Sequence, residues 1–129
     1  MTMDKIRVLV VDDNTNFLQL AQLGLGPEKY EVFTSADGQD GFDQAKKVKP
    51  DVILLDVMMP HVSGLELLRM LLSDEDVRAI PVIVITASHF DSAMETVFKQ
   101  EGNVKSFIQK PCPVNILRDK ITEAVKKAD

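Results

Sequence analysis

The chain has 129 residues, 45% apolar and 27% charged, which is the composition of one globular domain with its own core and too apolar for a disordered segment. Fifteen Lys and Arg against twenty Asp and Glu leave a net charge of −5, so the field of the molecule repels polyanions and argues against direct nucleic-acid or anionic-membrane binding. The one Cys excludes an internal disulfide, no apolar stretch approaches the roughly 18 residues of a membrane span, and Met1-Thr2-Met3-Asp4-Lys5 does not read as a signal peptide, so a cytoplasmic location is expected.

Short β-branched runs at 6–11, 31–34, 52–55, 82–85 and 106–108 alternate with longer segments of helical period. The first helix is expected over 14–25, with Phe17, Leu20, Ala21 and Gly24 on its apolar stripe and Gly26-Pro27 as its stop. Gly41, Phe42, Ala45 and Val48 mark the second, ended by Pro50. The third, over about 64–73, is apolar almost all round, so its burial is expected but its facing is open. Phe90, Ala93, Met94, Val97 and Phe98 fit the helical template throughout, with Gly102 as C-cap. Val114, Leu117, Ile121, Ala124 and Val125 form the fifth helix, with Lys126 and Lys127 near its negative end. Five strands alternating with five helices through right-handed crossovers predict an α/β fold: a doubly wound, flavodoxin-like (βα)5 parallel sheet in the order 2-1-3-4-5, as a single domain over 1–129. Its ligand crevice lies outside the carboxyl ends of strands 1 and 3.

Asp12 and Asp13 follow strand 1, Asp56 follows strand 3, Thr86 strand 4, and Lys110 comes shortly after strand 5. Each has a plain structural reading. Asp12-Asp13-Asn14 can cap the first helix, Asp56 can be a turn residue, Thr86 suits a strand, and Lys110 can be a solvated loop charge. Jointly they are less ordinary, because this topology brings three carboxylates into one crevice. Two carboxylates about 5 Å apart repel by roughly 3 kcal/mol at an effective dielectric of about 20, and a resident cation resolves the crowding. All-oxygen ligands point to Mg²⁺, with Mn²⁺ as a substitute, and Cys112, His61 and His89 lack the spacing of a zinc site. Carboxylates, a divalent cation, a hydroxyl and an ammonium together suit a phosphoryl group.

In order, spacing and strand context, Asp12-Asp13 after Val8-Leu9-Val10-Val11, Asp56-Val57-Met58-Met59-Pro60 with Gly64 beyond, Thr86-Ala87, and Phe107 before Lys110-Pro111 resemble the response-regulator receiver domain of two-component signal transduction. The resemblance covers essentially the whole chain. It implies that Asp56 is the phospho-acceptor, taking its phosphoryl group from a sensor histidine kinase or histidine phosphotransfer protein. It implies Mg²⁺ held by Asp13 directly, by Asp12 mainly through water, by Asp56 and by the Met58 backbone carbonyl. Lys110 would pair with the phosphoryl oxygens, and Lys110-Pro111 resembles the family's cis peptide. Thr86 would hydrogen-bond the phosphoryl group, Phe107 would turn inward, and the face of helix 4, strand 5 and helix 5 would shift between two populations to meet a partner or effector domain. Ala87 leaves room for the phosphoryl group. Met58 and Ser88, at positions that tune phosphoryl lifetime in the family, carry neither carboxylate nor amide, so a long-lived phosphoaspartate is expected. Phosphorylation-dependent homodimers are compatible with this reading.

Two places depart from the family pattern. Cys112 and Pro113 stand where an aromatic commonly follows Lys-Pro, so the packing at the start of helix 5 is expected to differ, and Asn103 follows Gly102 where a small apolar residue is common, so the turn before strand 5 is expected to differ as well. Cys112 reads as a small semi-buried hydrophobe and His61 and His89 as solvated loop residues. Within the family the chain could also serve as a phosphorelay intermediate or phosphate sink. Outside it, an aspartate-nucleophile phosphatase of the haloacid dehalogenase type would need a general acid two residues beyond its nucleophile, where this chain has Met58 or Asn14. A flavin-binding module on the same fold would meet its phosphate with Asp12 and Asp13 in the first loop. The chain is therefore expected to act as a signalling phospho-acceptor, not as an enzyme on an external substrate.

Overall fold

A computed structural model describes residues 5–56, 64–86, 96, 100–109 and 113–128. Strands β1 (Ile6–Val11), β2 (Tyr30–Ser35), β3 (Val52–Asp56), β4 (Val82–Thr86) and β5 (Val104–Gln109) form one sheet in the order β2-β1-β3-β4-β5, with every neighbouring pair parallel. Helices α1 (Thr15–Leu25), α2 (Gly38–Val48), α3 (Gly64–Leu72) and α4 (Val114–Ala128) are described with it, α4 being the fifth helix expected from the sequence. Of the segment expected to form the fourth helix, Thr96 alone lies among the described residues.

The continuous β-branched runs follow from burial on both faces, since a parallel sheet covered by helices leaves no polar side to alternate with. Val8, Val10, Val52, Leu54, Ile83 and Ile85 project to one face, against Phe17, Leu18, Ala21 and Leu25 of α1 and Leu117, Ile121 and Ala124 of α4. Leu9, Val11, Ile53, Leu55, Val82 and Val84 project to the other, against Ala45 of α2 and Leu67, Leu68 and Leu71 of α3. Each fully buried Val, Leu or Ile contributes about 1.5–3 kcal/mol relative to exposure, so the two layers supply most of the driving force.

Helix ends follow their local chemistry. Asn14 caps α1, its side-chain oxygen accepting from the N–H groups of Asn16 (3.0 Å) and Phe17 (3.3 Å). Gly26 ends α1 at φ 77° and donates its N–H to the Gln22 carbonyl. Asp37 caps α2 by accepting from the Asp40 N–H at 2.8 Å, and Lys49 closes that helix in the left-handed region at φ 48°, just before Pro50.

The buried stripe of α1 differs from the expected one. Phe17 and Ala21 are inside as expected, but Leu18 and Leu25 accompany them, whereas Leu20 is 49% exposed. Gly24 lies on the flank that meets α4: a β-carbon there would stand 2.5 Å from Val114 Cγ2. The helix is thus rotated by its neighbour, with Gly24 permitting the close approach. For α3 the structure supplies the orientation that periodicity left open: Leu67, Leu68 and Leu71 are buried, while Glu66 and Arg69 face out. Strand β2 runs one residue past its expected run at each end, to Tyr30 and Ser35, which pair with Ile6 and Val11 of β1, and β5 extends from Val104 to Gln109, with Lys105 left out of the pairing with β4.

Candidate functional site

The register of the sheet explains why acidic residues distant in sequence meet. Val11 pairs with Leu55 across β1 and β3, so the next residues along, Asp12 and Asp56, emerge side by side at the carboxyl edge. Asp56 is the last residue of β3, where it pairs with Ile85 of β4. The Asp12 N–H donates to the Ser35 carbonyl at 3.0 Å, which fixes the chain as it leaves β1. One Asp12 carboxylate oxygen, Oδ1, accepts from the Asn14 N–H at 2.8 Å and turns the loop back into α1.

Asp12, Asp13 and Asp56 form a group whose carboxylate oxygens all lie within 4.8 Å of one another. Asp12 and Asp56 are buried, at 1% and 6% exposure, and Asp13 is exposed. The capping alternative for the first loop is thereby divided: Asn14 caps the helix, Asp12 shapes the turn with one oxygen, and Asp13 is left facing solvent beside the other two.

This donor set fits a hard divalent cation. Asp12, Asp13 and Asp56 would hold Mg²⁺, which takes oxygen ligands and is ordinarily bound through a few carboxylates together with water. Oxygen-only donors, with no thiolate or imidazole in the group, select the same class of ion.

The other residues singled out from the sequence stand as follows. Thr86 closes β4, pairs with Gln109 of β5, and so stands at the same edge one position beyond Ile85. Phe107 is half-buried on β5 and packs against the layer under α2 and α3. Met58, Ala87, Ser88, Lys110 and Pro111 lie outside the described residues, as do His61, His89 and Cys112. Asn103 lies in the turn before β5 and is buried, at 3% exposure. Ser35 was missed, because the second strand was expected to stop at Thr34 and a small polar residue at a strand end reads as the start of a turn. Its signal is topological: in the order 2-1-3, the end of strand 2 must flank the end of strand 1.

Comparison with known proteins agrees with this geometry. A family profile described as "Response regulator receiver domain" matches residues 8–122. The polar-differentiation response regulator DivK of Brucella anthropi is 34% identical over 107 residues, covering 83% of this chain and 85% of that protein. The response regulator PleD of Caulobacter vibrioides is 40% identical over 105 residues, 81% of this chain but 23% of that longer protein. Among solved structures, the chemotaxis protein CheY4 of Vibrio cholerae superposes with a TM-score of 0.86 at 26% identity, covering 94% of this chain and 99% of that one. A CheY-like receiver domain protein of Methanospirillum hungatei gives 0.85 at 26% identity, covering 97% of each chain. No helix among the described residues is long and apolar enough to cross a membrane.

Proposed function

Because the chain belongs to the response regulator receiver domain family, we propose that Asp56 is its phospho-acceptor and that Asp12 and Asp13 are the companions that make the transfer possible. The observation that carries this reading is the grouping of the three carboxylates within 4.8 Å at the carboxyl edge of the sheet, two of them buried.

In the proposed reaction an Asp56 carboxylate oxygen attacks the phosphorus of a phosphohistidine on a sensor histidine kinase or phosphotransfer protein. The P–N bond breaks, its electron pair goes to the imidazole nitrogen, and an acyl phosphate forms on Asp56. Bound Mg²⁺, or Mn²⁺ in its place, supplies charge neutralisation for the phosphoryl oxygens and the carboxylates. Asp13, exposed and with no role in the cap, is suited to bind the ion directly. Asp12 already gives one oxygen to the Asn14 N–H, which favours an outer, water-mediated role. The Met58 carbonyl is the further ligand, Lys110 the cation paired with the phosphoryl group, and Thr86 its hydroxyl donor, each by family resemblance.

The half-buried Phe107 then moves inward and carries β5 with it. The face built from the fourth expected helix, β5 and α4 passes the signal to a partner or effector domain. On this reading the chemistry is limited to gaining, holding and losing the chain's own phosphoryl group, in the cytoplasm where the kinase's catalytic part resides. The test is intact mass after incubation with acetyl phosphate, with and without Mg²⁺, for the parent and Asp56→Asn. One added phosphoryl group requiring both the ion and Asp56 is expected. An adduct that survives in Asp56→Asn, or forms equally well in chelator, would refute the assignment.

A further inference from the structure

The amino end of β5 carries a feature that phosphoryl chemistry does not use. Asn103 is 3% exposed, and neither its side-chain oxygen nor its side-chain nitrogen has a hydrogen-bond partner among the described residues. Its backbone is engaged, since its carbonyl accepts from the Val82 N–H at 2.7 Å, so the unmet demand belongs to the side chain alone. A buried primary amide without partners loses the hydrogen bonds that it makes freely when exposed to water, and native structures hold few such groups.

The surroundings of Asn103 are irregular in the same place. Val82 pairs with Val104 but Ile83 pairs with Ser106, so Lys105 is an extra residue and β4 and β5 shift register immediately after Asn103. β5 is an edge strand with β4 as its one neighbour, and Ile108 is the one residue of the strand classed as buried. Phe107 sits four positions along this edge strand. The turn is tethered to α3 through Glu101, which pairs with Arg69 at 3.6 Å.

We propose that Asn103 is a conformational device: an unsatisfied amide at the root of β5 that raises the energy of the resting arrangement and so lowers the cost of the β5 and Phe107 rearrangement selected by phosphorylation. This rests on the receiver reading above and adds a regulatory element to it. The rearrangement lets the side-chain amide reach water or a backbone group, so the resting state bears the penalty and the rearranged state does not. An apolar residue at 103 removes the bias. A ligand that selects the rearranged state must then work against a larger gap, and its apparent affinity falls by the factor by which the gap has grown.

Asn103→Val and Asn103→Ala test this with two readouts. The first is the thermal unfolding midpoint in chelator. The second is the apparent affinity for beryllofluoride, a phosphoryl analogue, in saturating Mg²⁺, followed through the backbone amide signals of Phe107 and Ile108. A raised midpoint with at least about fivefold weaker beryllofluoride binding in either variant is expected. A raised midpoint with unchanged affinity would overturn the proposal, because the amide would then be equally unsatisfied in both states. A midpoint unchanged or lowered in both variants would also overturn it, because the amide would then be satisfied at rest. If the parent bound no beryllofluoride, the receiver reading itself would fail and the device with it. The chelator midpoints identify that case separately.

Discussion

Removing a charge from the acidic group should make the ion-free protein more stable. The carboxylate oxygens of Asp12, Asp13 and Asp56 lie within 4.8 Å of one another. Two unit charges at that distance repel by about 3 kcal/mol at an effective dielectric of about 20. Pairs that include the exposed Asp13 are screened to well below this, whereas Asp12 and Asp56 are both buried. Asp12→Asn removes the repulsion and retains a side-chain oxygen to accept from the Asn14 N–H, a bond of 2.8 Å in the parent. Allowing for relaxation, the variant should gain about 2 kcal/mol in chelator, or about 6–10 °C in unfolding midpoint for a domain of this size. Thermal and urea unfolding in EDTA measure the gain. A Mg²⁺ titration then shows the reverse side of the same effect, with the parent stabilised more by the ion than the variant is. A variant less stable than the parent in EDTA, or one stabilised by Mg²⁺ as strongly as the parent, would refute the electrostatic reasoning.

Gly24→Ala places a β-carbon 2.5 Å from Val114 Cγ2, so α1 and α4 must separate or Val114 must change rotamer. The overpacking cost of about 1–3 kcal/mol exceeds the roughly 1 kcal/mol gained in helix propensity, and urea unfolding should show a net loss. The ion pair between Lys46 and Asp74, 2.8 Å long, joins α2 to the segment after α3. Its hydrogen bond holds the Asp74 carboxyl below the usual range and the Lys46 ammonium above it. The Asp74 contribution to stability is therefore present above the ordinary carboxylate range and lost as pH falls through the lowered value. The Lys46 contribution is present below the ordinary lysine range and lost as pH rises through the raised value, and Asp74→Asn should remove both dependences from the stability profile. Met58→Asn introduces an amide that can orient an attacking water, so phosphate release from the phosphorylated domain should be faster than in the parent. An unchanged rate would remove Met58 from the control of phosphoryl lifetime.

The sheet was legible because a parallel strand covered on both faces has little freedom in composition. Val8 to Val11 and Val52 to Leu55 are fully buried, and runs of that kind have few other places in a domain. Once the strand order follows, so does the meeting of Asp12 with Asp56, since residues just past paired strand ends must be neighbours. The facing of helices was less legible. The stripe of Phe17, Leu20, Ala21 and Gly24 and the observed set of Phe17, Leu18, Ala21 and Leu25 differ by a modest rotation about one axis. That rotation is set by Val114 of α4, ninety residues away in sequence, packing onto Gly24. Ser35 contributes to the site through its backbone carbonyl, which any residue carries, so its side chain gave no signal. Asn103 stood out as a departure from the family pattern, but its burial depends on the packing of the turn that meets the start of β4, where the Val82 N–H donates to its carbonyl, and no local pattern records that.

The most direct measurement of the central claim is the position of the acyl phosphate itself. The parent protein is incubated with acetyl phosphate and Mg²⁺, reduced with borohydride, which converts a phosphoaspartate to homoserine, then digested and sequenced by mass spectrometry. Homoserine at position 56, absent when Mg²⁺ is chelated, is the expected result. Homoserine at position 12 or 13, or its absence from position 56 in a folded, Mg²⁺-bound protein that has gained a phosphoryl group, would contradict it.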